Sequence, residues 1–484
     1  MLLYHFFVPG QWLLGRFNRL DDTRRPLLWM LAIALLITGP ALLLRAVHHE
    51  EGTVISLARG ALEDGHWLTP TRYGVRFVER PVLLSWIVAA LGALAGEITA
   101  PLTRLPHVAF LILGGVLVYD LVRSVGGKAA GLFGALCWFA SPMVAQKAIT
   151  AEPDVTTSVL LFSAFWLWWK SAAAGRLTLV RWIMIGALMG LAGLTKGPQP
   201  VGYVTIGLGL ALLARRDWRQ LPGFVLANAI AGVVVGAWYV AVARPDDLHG
   251  WAVHSRLFSL GGLRLVGDHL DFLISLIAEW LPGTILLGPA IVVAWRGAKE
   301  PDIELMRAAL IYGLACSLVL LVWPGGVATR YAMPANPALA VMCGVMFARW
   351  RGPHTRVVVS ALSIATLITA YVVVVSWIVM PLMPRLFNEA QVAGEATQAV
   401  RRTVQGPLYV LQSSAEHNML AYVTAPIHEL PSLDALAATQ GAAVAVMTPQ
   451  ERAALAQRAP AQDWQERARV HTVGEELRVY ERTR

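Results

Sequence analysis

Several short segments of this chain pair carboxylates with cations. His48-His49-Glu50-Glu51 opens a polar stretch, and Gly74-Val-Arg-Phe-Val-Glu-Arg-Pro81 ends one, with Glu79 beside Arg80. Glu152 and Asp154 follow, then Lys196 within Gly193-Leu-Thr-Lys-Gly-Pro198 and Arg330 within Ala328-Thr-Arg-Tyr331. A carboxylate can take the proton from a hydroxyl nucleophile. Cations can hold a phosphate and neutralise it as it leaves. Such a set suits transfer of a group from a phosphate to a hydroxyl. Blander readings compete at each position. Charges at the ends of apolar segments often only anchor them, and Lys196 can snorkel to headgroups. Gly193–Pro198 lacks the spaced glycines of a phosphate-cradling loop. Adjacent residues such as His48 to Glu51 rarely converge on one metal ion. His269 reads first as a hydrogen-bonded surface histidine and only second as a metal ligand.

The elements that must position these residues are membrane helices. The chain has 484 residues, 56% hydrophobic and only 15% charged, where soluble proteins carry about 25% charged residues. Apolar segments recur at 27–46, 106–122, 129–146, 153–169, 180–195, 199–214, 221–243, 271–295, 306–323, 333–348 and 357–380. Many are long enough to cross ~30 Å of hydrocarbon. Inside that core every backbone polar group must bond internally, which requires helices. The net charge of +9 does not point to nucleic acid, because the basic residues lie in short loops between spans, where orientation demands them. Cys137, Cys316 and Cys343 fall inside apolar segments and read as small buried side chains. The N-terminus is apolar, then basic (Arg16, Arg19, Arg24, Arg25), and reads as a start-transfer anchor. Trp166, Trp168 and Trp169 read as an aromatic belt at the cytoplasmic interface.

A further apolar stretch, 82–96, is settled by parity. If it does not cross, the loops rich in Arg and Lys (Arg123 and Lys128; Lys170, Arg176 and Arg181; Arg215, Arg216 and Arg219; Arg296, Lys299 and Arg307; Arg349, Arg351 and Arg356) all face the cytoplasm. If it crosses, all of them face outward. It therefore reads as a helix lying in the outer leaflet. Loop 47–105 and the tail after 384 then lie outside, and the acids and bases named above collect on that face. The tail reads as a small α/β domain, with strand-like runs at 407–411, 442–447 and 477–480 and a helix at 449–458.

The motifs, in this order, resemble the GT-C membrane glycosyltransferases, and within them the lipid A aminoarabinose transferase and protein O-mannosyltransferase-like group. The likeness runs from about residue 27 to 348, and more loosely through the tail. An acidic pair follows the first span (Glu50-Glu51). Gly65-His-Trp-Leu-Thr-Pro70 and Gly74–Pro81 stand where that group has Gly-Asp-Trp, Pro, and an aromatic-x-Glu-Lys-Pro-Pro run. An acidic loop (Glu152, Asp154), Leu194-Thr-Lys-Gly-Pro198 and Arg330-Tyr-Ala-Met-Pro-Ala-Asn-Pro337 complete the set. The departures are Glu50 for the usual Asp, Arg80-Pro81-Val82 for Lys-Pro-Pro, and a poor match at His254-Ser-Arg-Leu-Phe258.

The resemblance implies an all-α polytopic membrane protein of about eleven transmembrane helices with in-plane outer-leaflet helices. Residues 1–384 would form the catalytic domain and 385–484 a small soluble periplasmic α/β domain, in a bacterial inner membrane. It implies an inverting transferase that moves a sugar from a polyprenyl-phosphate carrier to an envelope acceptor such as lipid A or another lipopolysaccharide sugar. Glu50 would be the base, with Glu51 second and Asp154 also catalytic. Arg80, Lys196, Arg330 and Arg256 would hold the donor phosphate. Glu79, Glu152 and Tyr331 would position the sugar, and a divalent metal is conceivable at His269. The rivals are a transporter or flippase of lipid-linked sugars, which would carry midplane charges and repeat symmetry, and a non-catalytic member of the group.

Overall fold

The structure is a computed structural model that describes residues 2–176, 178–247, 262–297, 299–321, 328–351, 355–404, 406–424, 426–472 and 475–483. It is that of a multi-pass membrane protein. Among the described residues seven helices are long and apolar enough to cross a membrane, or eight if one bent pair counts as a span. With the bent pair counted, three further helical stretches would make up the expected eleven. Helix Ala100–Ala140 is two helices merged, because Gly127 breaks it with φ 86° and ψ 175°; its 41 residues would reach ~60 Å unbroken, twice a bilayer core. Helix Pro153–Ala173 has the length, but Thr156, Thr157 and Ser158 make its first turns polar. Helix Gln199–Arg215 is slightly short at 17 residues.

Two expectations are corrected. The segment 271–295 is not one straight span: Val266–Glu279 and Gly283–Arg296 meet at 96°. Trp168 is not an interfacial anchor; it is fully buried and its indole N–H donates to Gln220 Oε1 at 3.1 Å. The N-terminal stretch also forms a helix of its own, Leu2–Asn18, which the span assignment did not contain.

The chain divides into two compact units. One holds residues 1–39, 107–149 and 153–375. Its helices pack closely at small residues: a Cβ at Gly115 would sit 2.4 Å from the Phe139 ring, and one at Gly114 2.9 Å from Trp138. The other unit holds 40–106, 150–152 and 376–484, so the long loop 47–105 groups with the tail rather than with the rest of 1–384.

In this second unit, helix Glu51–Leu62 buries Val54, Ile55, Ala58 and Ala61 against Leu84, Val88 and Ala89 of helix Leu83–Ala95. The latter has 13 residues, or ~20 Å, too short to cross. A hairpin, β1 (Thr71–Arg72) and β2 (Val75–Arg76), follows helix 51–62. The tail forms a five-stranded mixed sheet of β3 (Leu408–Leu411), β4 (Ile427–Leu430), β5 (Ala443–Met447), β6 (Gln465–Thr472) and β7 (Glu475–Arg482), in the order β4-β3-β5-β7-β6. β3 pairs in parallel with β4 and β5, and the β5–β7 and β7–β6 pairs are antiparallel. All five residues of β5 are buried, as expected of the centre of a covered sheet.

Candidate active site

A buried charge cluster of the second unit is built on a residue that motif reading missed. Arg104, five residues into helix 100–140, is 1% exposed. Its Nε and Nη2 each lie 2.7 Å from an oxygen of Glu51. Its remaining donors go to the carbonyls of Ala41, Leu42, Arg45 and Ala46, at and just past the end of helix Pro26–Leu44, where carbonyls run out of intrahelical donors. Glu51 also accepts from the Ala151 amide at 2.8 Å and the His48 amide at 3.2 Å. Burial raises the Glu51 pKa, but the Arg104 contacts and His48 outweigh it and bring it down to about 2. Glu51 is thus a carboxylate held in place on both oxygens. The available signal was Arg104 itself, a cation near the start of a largely apolar helix and far from its other cations, Arg123 and Lys128, which when buried requires a partner.

Glu50 faces elsewhere. His49, just before the two carboxylates, has a left-handed φ of 53°, a conformation uncommon for a residue with a side chain, and Glu50 caps the start of helix 51–62 while Glu51 is its first residue. Arg80 Nη2 lies 2.9 Å from Glu50 Oε2, with both side chains a little over one-fifth exposed. Glu79, next to Arg80, is half-buried. His48 and His49 line a cavity of about 420 Å³ with Arg45, Glu389, Glu416 and Asn418. Burial lowers the His48 pKa to about 4 against the pull of Glu51, so the ring is neutral near pH 7.

The tail sheet fixes this loop. Arg72 of β1 donates from Nε and Nη2 to the buried Glu429 of β4, at 3.1 and 2.9 Å. Arg59 donates to the carbonyls of Val423 and Ala421, Asn418 Oδ1 accepts from the Gly52 amide, and the Tyr422 hydroxyl accepts from the Val47 amide. Gly52 is required here, since a Cβ would sit 2.4 Å from the His417 carbonyl oxygen.

In the first unit, Asp154 and Lys196 form a buried ion pair. Lys196 Nζ lies 4.4 Å from the Tyr331 ring centre, and the Arg330 guanidinium 5.7 Å from the same ring. These four residues line a small cleft with Gln199 and Tyr203. Glu152 is fully buried and belongs to the second unit. Arg256 lies outside the described residues. His269 is half-buried on helix Gly262–Glu279. Among the described residues no three His, Cys, Asp or Glu side chains come together to hold a metal, so the placement of a metal at His269 gains no co-ligands.

Residues 79–240 match the family model of dolichyl-phosphate-mannose-protein mannosyltransferases. The crystal structure of ArnT from Cupriavidus metallidurans in the apo state superposes with a TM-score of 0.73 at 19% identity, covering 94% of this chain and 97% of that one. The chain has the GT-C fold. The same protein bound to undecaprenyl phosphate gives a TM-score of 0.70 over the same shares. Among curated sequences, the undecaprenyl phosphate-alpha-4-amino-4-deoxy-L-arabinose arabinosyl transferase of Erwinia tasmaniensis is 26% identical over 328 residues, 66% of this chain and 59% of the relative. That of Pseudomonas paraeruginosa is 28% identical over 305 residues, 61% of this chain and 54% of the relative. The chain thus matches a little over half the length of these relatives. The likeness to GT-C membrane glycosyltransferases of the aminoarabinose transferase group, first visible in the motifs, is borne out.

Proposed function

We propose that this protein is an inverting glycosyltransferase that uses a polyprenyl-phosphate-linked sugar and delivers it to a cell-envelope acceptor such as lipid A or another lipopolysaccharide sugar. The observation that carries the reading is that the motif residues pair within their units: Glu50 with Arg80, and Asp154 with Lys196 beside Tyr331 and Arg330. Intramembrane-edge charges paired in this way are functional candidates. In the reaction an acceptor hydroxyl oxygen bonds to the anomeric carbon as the bond to the phosphate oxygen breaks. Glu50 takes the hydroxyl proton. The candidates to neutralise the departing polyprenyl phosphate are Arg80 in the one unit, Lys196 and Arg330 in the other, and Arg256. Asp154, Glu79, Glu152 and Tyr331 orient the sugar or the cations. Glu51 we assign to positioning, because Arg104 occupies both its oxygens. The acceptor approaches through the cavity at His48 and His49.

The similarity to bacterial undecaprenyl phosphate-alpha-4-amino-4-deoxy-L-arabinose arabinosyl transferases and to ArnT bound to undecaprenyl phosphate supports that carrier and a bacterial inner-membrane setting. The basic-loop distribution supports an outward site, with residues 385–484 as a periplasmic domain. The test is transfer by the purified full chain from a panel of undecaprenyl-phosphate sugars to lipid A and core glycans, followed by mass spectrometry of the product. Turnover with any donor supports the reading. No transfer from the whole panel, by protein that still binds undecaprenyl phosphate, favours the non-catalytic alternative.

A further inference from the structure

Helix 199–215 carries polar sites at both ends. Its start, at Gln199 and Tyr203, lines the Asp154–Lys196 cleft. Its end, at Ala211, Ala214 and Arg215, lines a separate pocket of about 190 Å³ with Lys299, Glu304, Arg307, Ala308 and Ile311. From Gln199 to Arg215 is ~24 Å along the helix, most of a bilayer core. The second pocket is therefore distinct from the candidate active site and lies at the end bearing the basic loops.

Three cations face this pocket and one carboxylate balances them. Glu304 pairs with Arg307 and lies 3.8 Å from Arg215 Nη1. Arg307 also donates from Nε and Nη2 to the Ala294 carbonyl, at 2.9 and 2.6 Å, so its role is partly structural. The Arg215 guanidinium lies 5.2 Å from the Trp169 ring, and Lys299 is exposed with no ion pair among the described residues. The neighbouring acids Glu300 and Asp302 do not neutralise them, since both are engaged by Arg349. The formal excess is two positive charges beside apolar helix walls. Exposed Trp218 and Trp295 at the same end mark headgroup depth.

We propose that this pocket binds the phosphate of an anionic lipid whose chains stay in the bilayer. Arg215 and Lys299 would be its main ligands, and Ala211, Ala214, Ala308 and Ile311 would pack under it. Basic pockets between transmembrane helices on the cytoplasmic side take such headgroups, and two cations suit a phosphate's charge. The lipid would be a glycerophospholipid of the leaflet or a polyprenyl phosphate, which share this chemistry.

The test is native mass spectrometry of the delipidated full chain in detergent, titrated in turn with phosphatidylglycerol, cardiolipin, undecaprenyl phosphate, phosphatidylethanolamine and inorganic phosphate. The wild type is expected to retain one anionic lipid in preference to phosphatidylethanolamine. The Arg215→Ala/Lys299→Ala double variant should bind that lipid roughly tenfold or more weakly. Arg215→Lys, which keeps the charge, should retain most of the binding and serves if the double variant fails to fold. Whichever anionic lipid is retained identifies the source. Equal affinity in wild type and double variant overturns the site. Equal retention of phosphatidylethanolamine, or binding of inorganic phosphate without lipid, overturns the anionic lipid as its ligand.

Discussion

Arg104 grips Glu51 with two nitrogens, each 2.7 Å from a different carboxylate oxygen, and both side chains are 1% exposed. The grip fixes the first turn of helix 51–62, where a negative charge also suits the helix dipole. It leaves the preceding carboxylate, Glu50, directed to Arg80. Two adjacent acids thereby acquire different environments, one buried and locked, the other partly exposed beside a cation that can also contact a phosphate.

Arg104→Ala should destabilise the protein severely. Removing one partner of a buried pair strands the other charge, at a cost of about 3–5 kcal/mol. Here the carbonyls of Ala41, Leu42, Arg45 and Ala46 lose the guanidinium contacts as well. Thermal unfolding of detergent-purified protein, followed by tryptophan fluorescence, should show a large drop. An Arg104→Met/Glu51→Leu double variant should lose less than either single change, because no charge is stranded. A melting temperature unaffected by Arg104→Ala would contradict this structural role.

Acid stability should show two windows. The folded pKa of Glu51 lies below its ordinary value of 4.5, at about 2, so its contribution is full above pH ~4.5 and is lost as pH falls toward 2. His48 and His417 are held neutral by burial, with pKa values lowered from 6.5 to about 4. The unfolded chain binds their protons first, so they favour folding above pH ~6.5 and progressively less down to 4. Unfolding measured from pH 7 to 2 should therefore lose stability first between 6.5 and 4. A His48→Gln/His417→Gln variant should flatten that upper step and keep the lower one. An unchanged upper step would remove these histidines as its cause.

What the sequence disclosed follows from the range of the signals. Apolar runs are local, so the spans were legible, and the parity of the basic loops already argued against a crossing at 82–96. Lys196 and Asp154 were found because each stands in a motif. The Arg104–Glu51 and Arg72–Glu429 pairs join residues 53 and 357 positions apart, and no local pattern encodes such a partnership. In the tail, β5 was evident from its apolar run. β4 (Ile-His-Glu-Leu) has only four residues, and β6 alternates charges on a largely exposed edge, so neither rises above a polar loop by pattern. Helix Glu389–Thr403 was missed for the same reason: few apolar residues mark its buried face.

Lys196→Gln should weaken donor use. If Lys196 holds the leaving phosphate, the loss of one charge-assisted contact is worth about 1.5–3 kcal/mol, or roughly 10- to 150-fold in donor KM or kcat/KM. Tyr331→Phe should be milder than Tyr331→Leu, because the ring face that meets Lys196 at 4.4 Å survives in Phe and not in Leu. Kinetics across a donor titration would separate the two. Identical donor KM in wild type and Lys196→Gln would leave Lys196 as a structural partner of Asp154.

Glu50 and Arg80 make the sharpest pair of variants, because they touch each other at 2.9 Å. Glu50→Gln removes basicity with little change of shape, so turnover should fall by roughly 10²–10⁴-fold. It also releases Arg80 from an anionic competitor, so donor binding should stay level or tighten. Arg80→Ala should weaken donor binding and slow transfer together, since a charge-assisted phosphate contact is lost. Arg80→Lys should restore part of the binding, because a bidentate fork becomes a point charge. Binding of undecaprenyl phosphate by isothermal titration, alongside single-turnover transfer, reads both quantities. Near-normal turnover in Glu50→Gln would eliminate Glu50 as the base and leave Asp154 as the next carboxylate to test. Weaker donor binding in Glu50→Gln would mean that Glu50 orients Arg80 rather than competing with the phosphate for it.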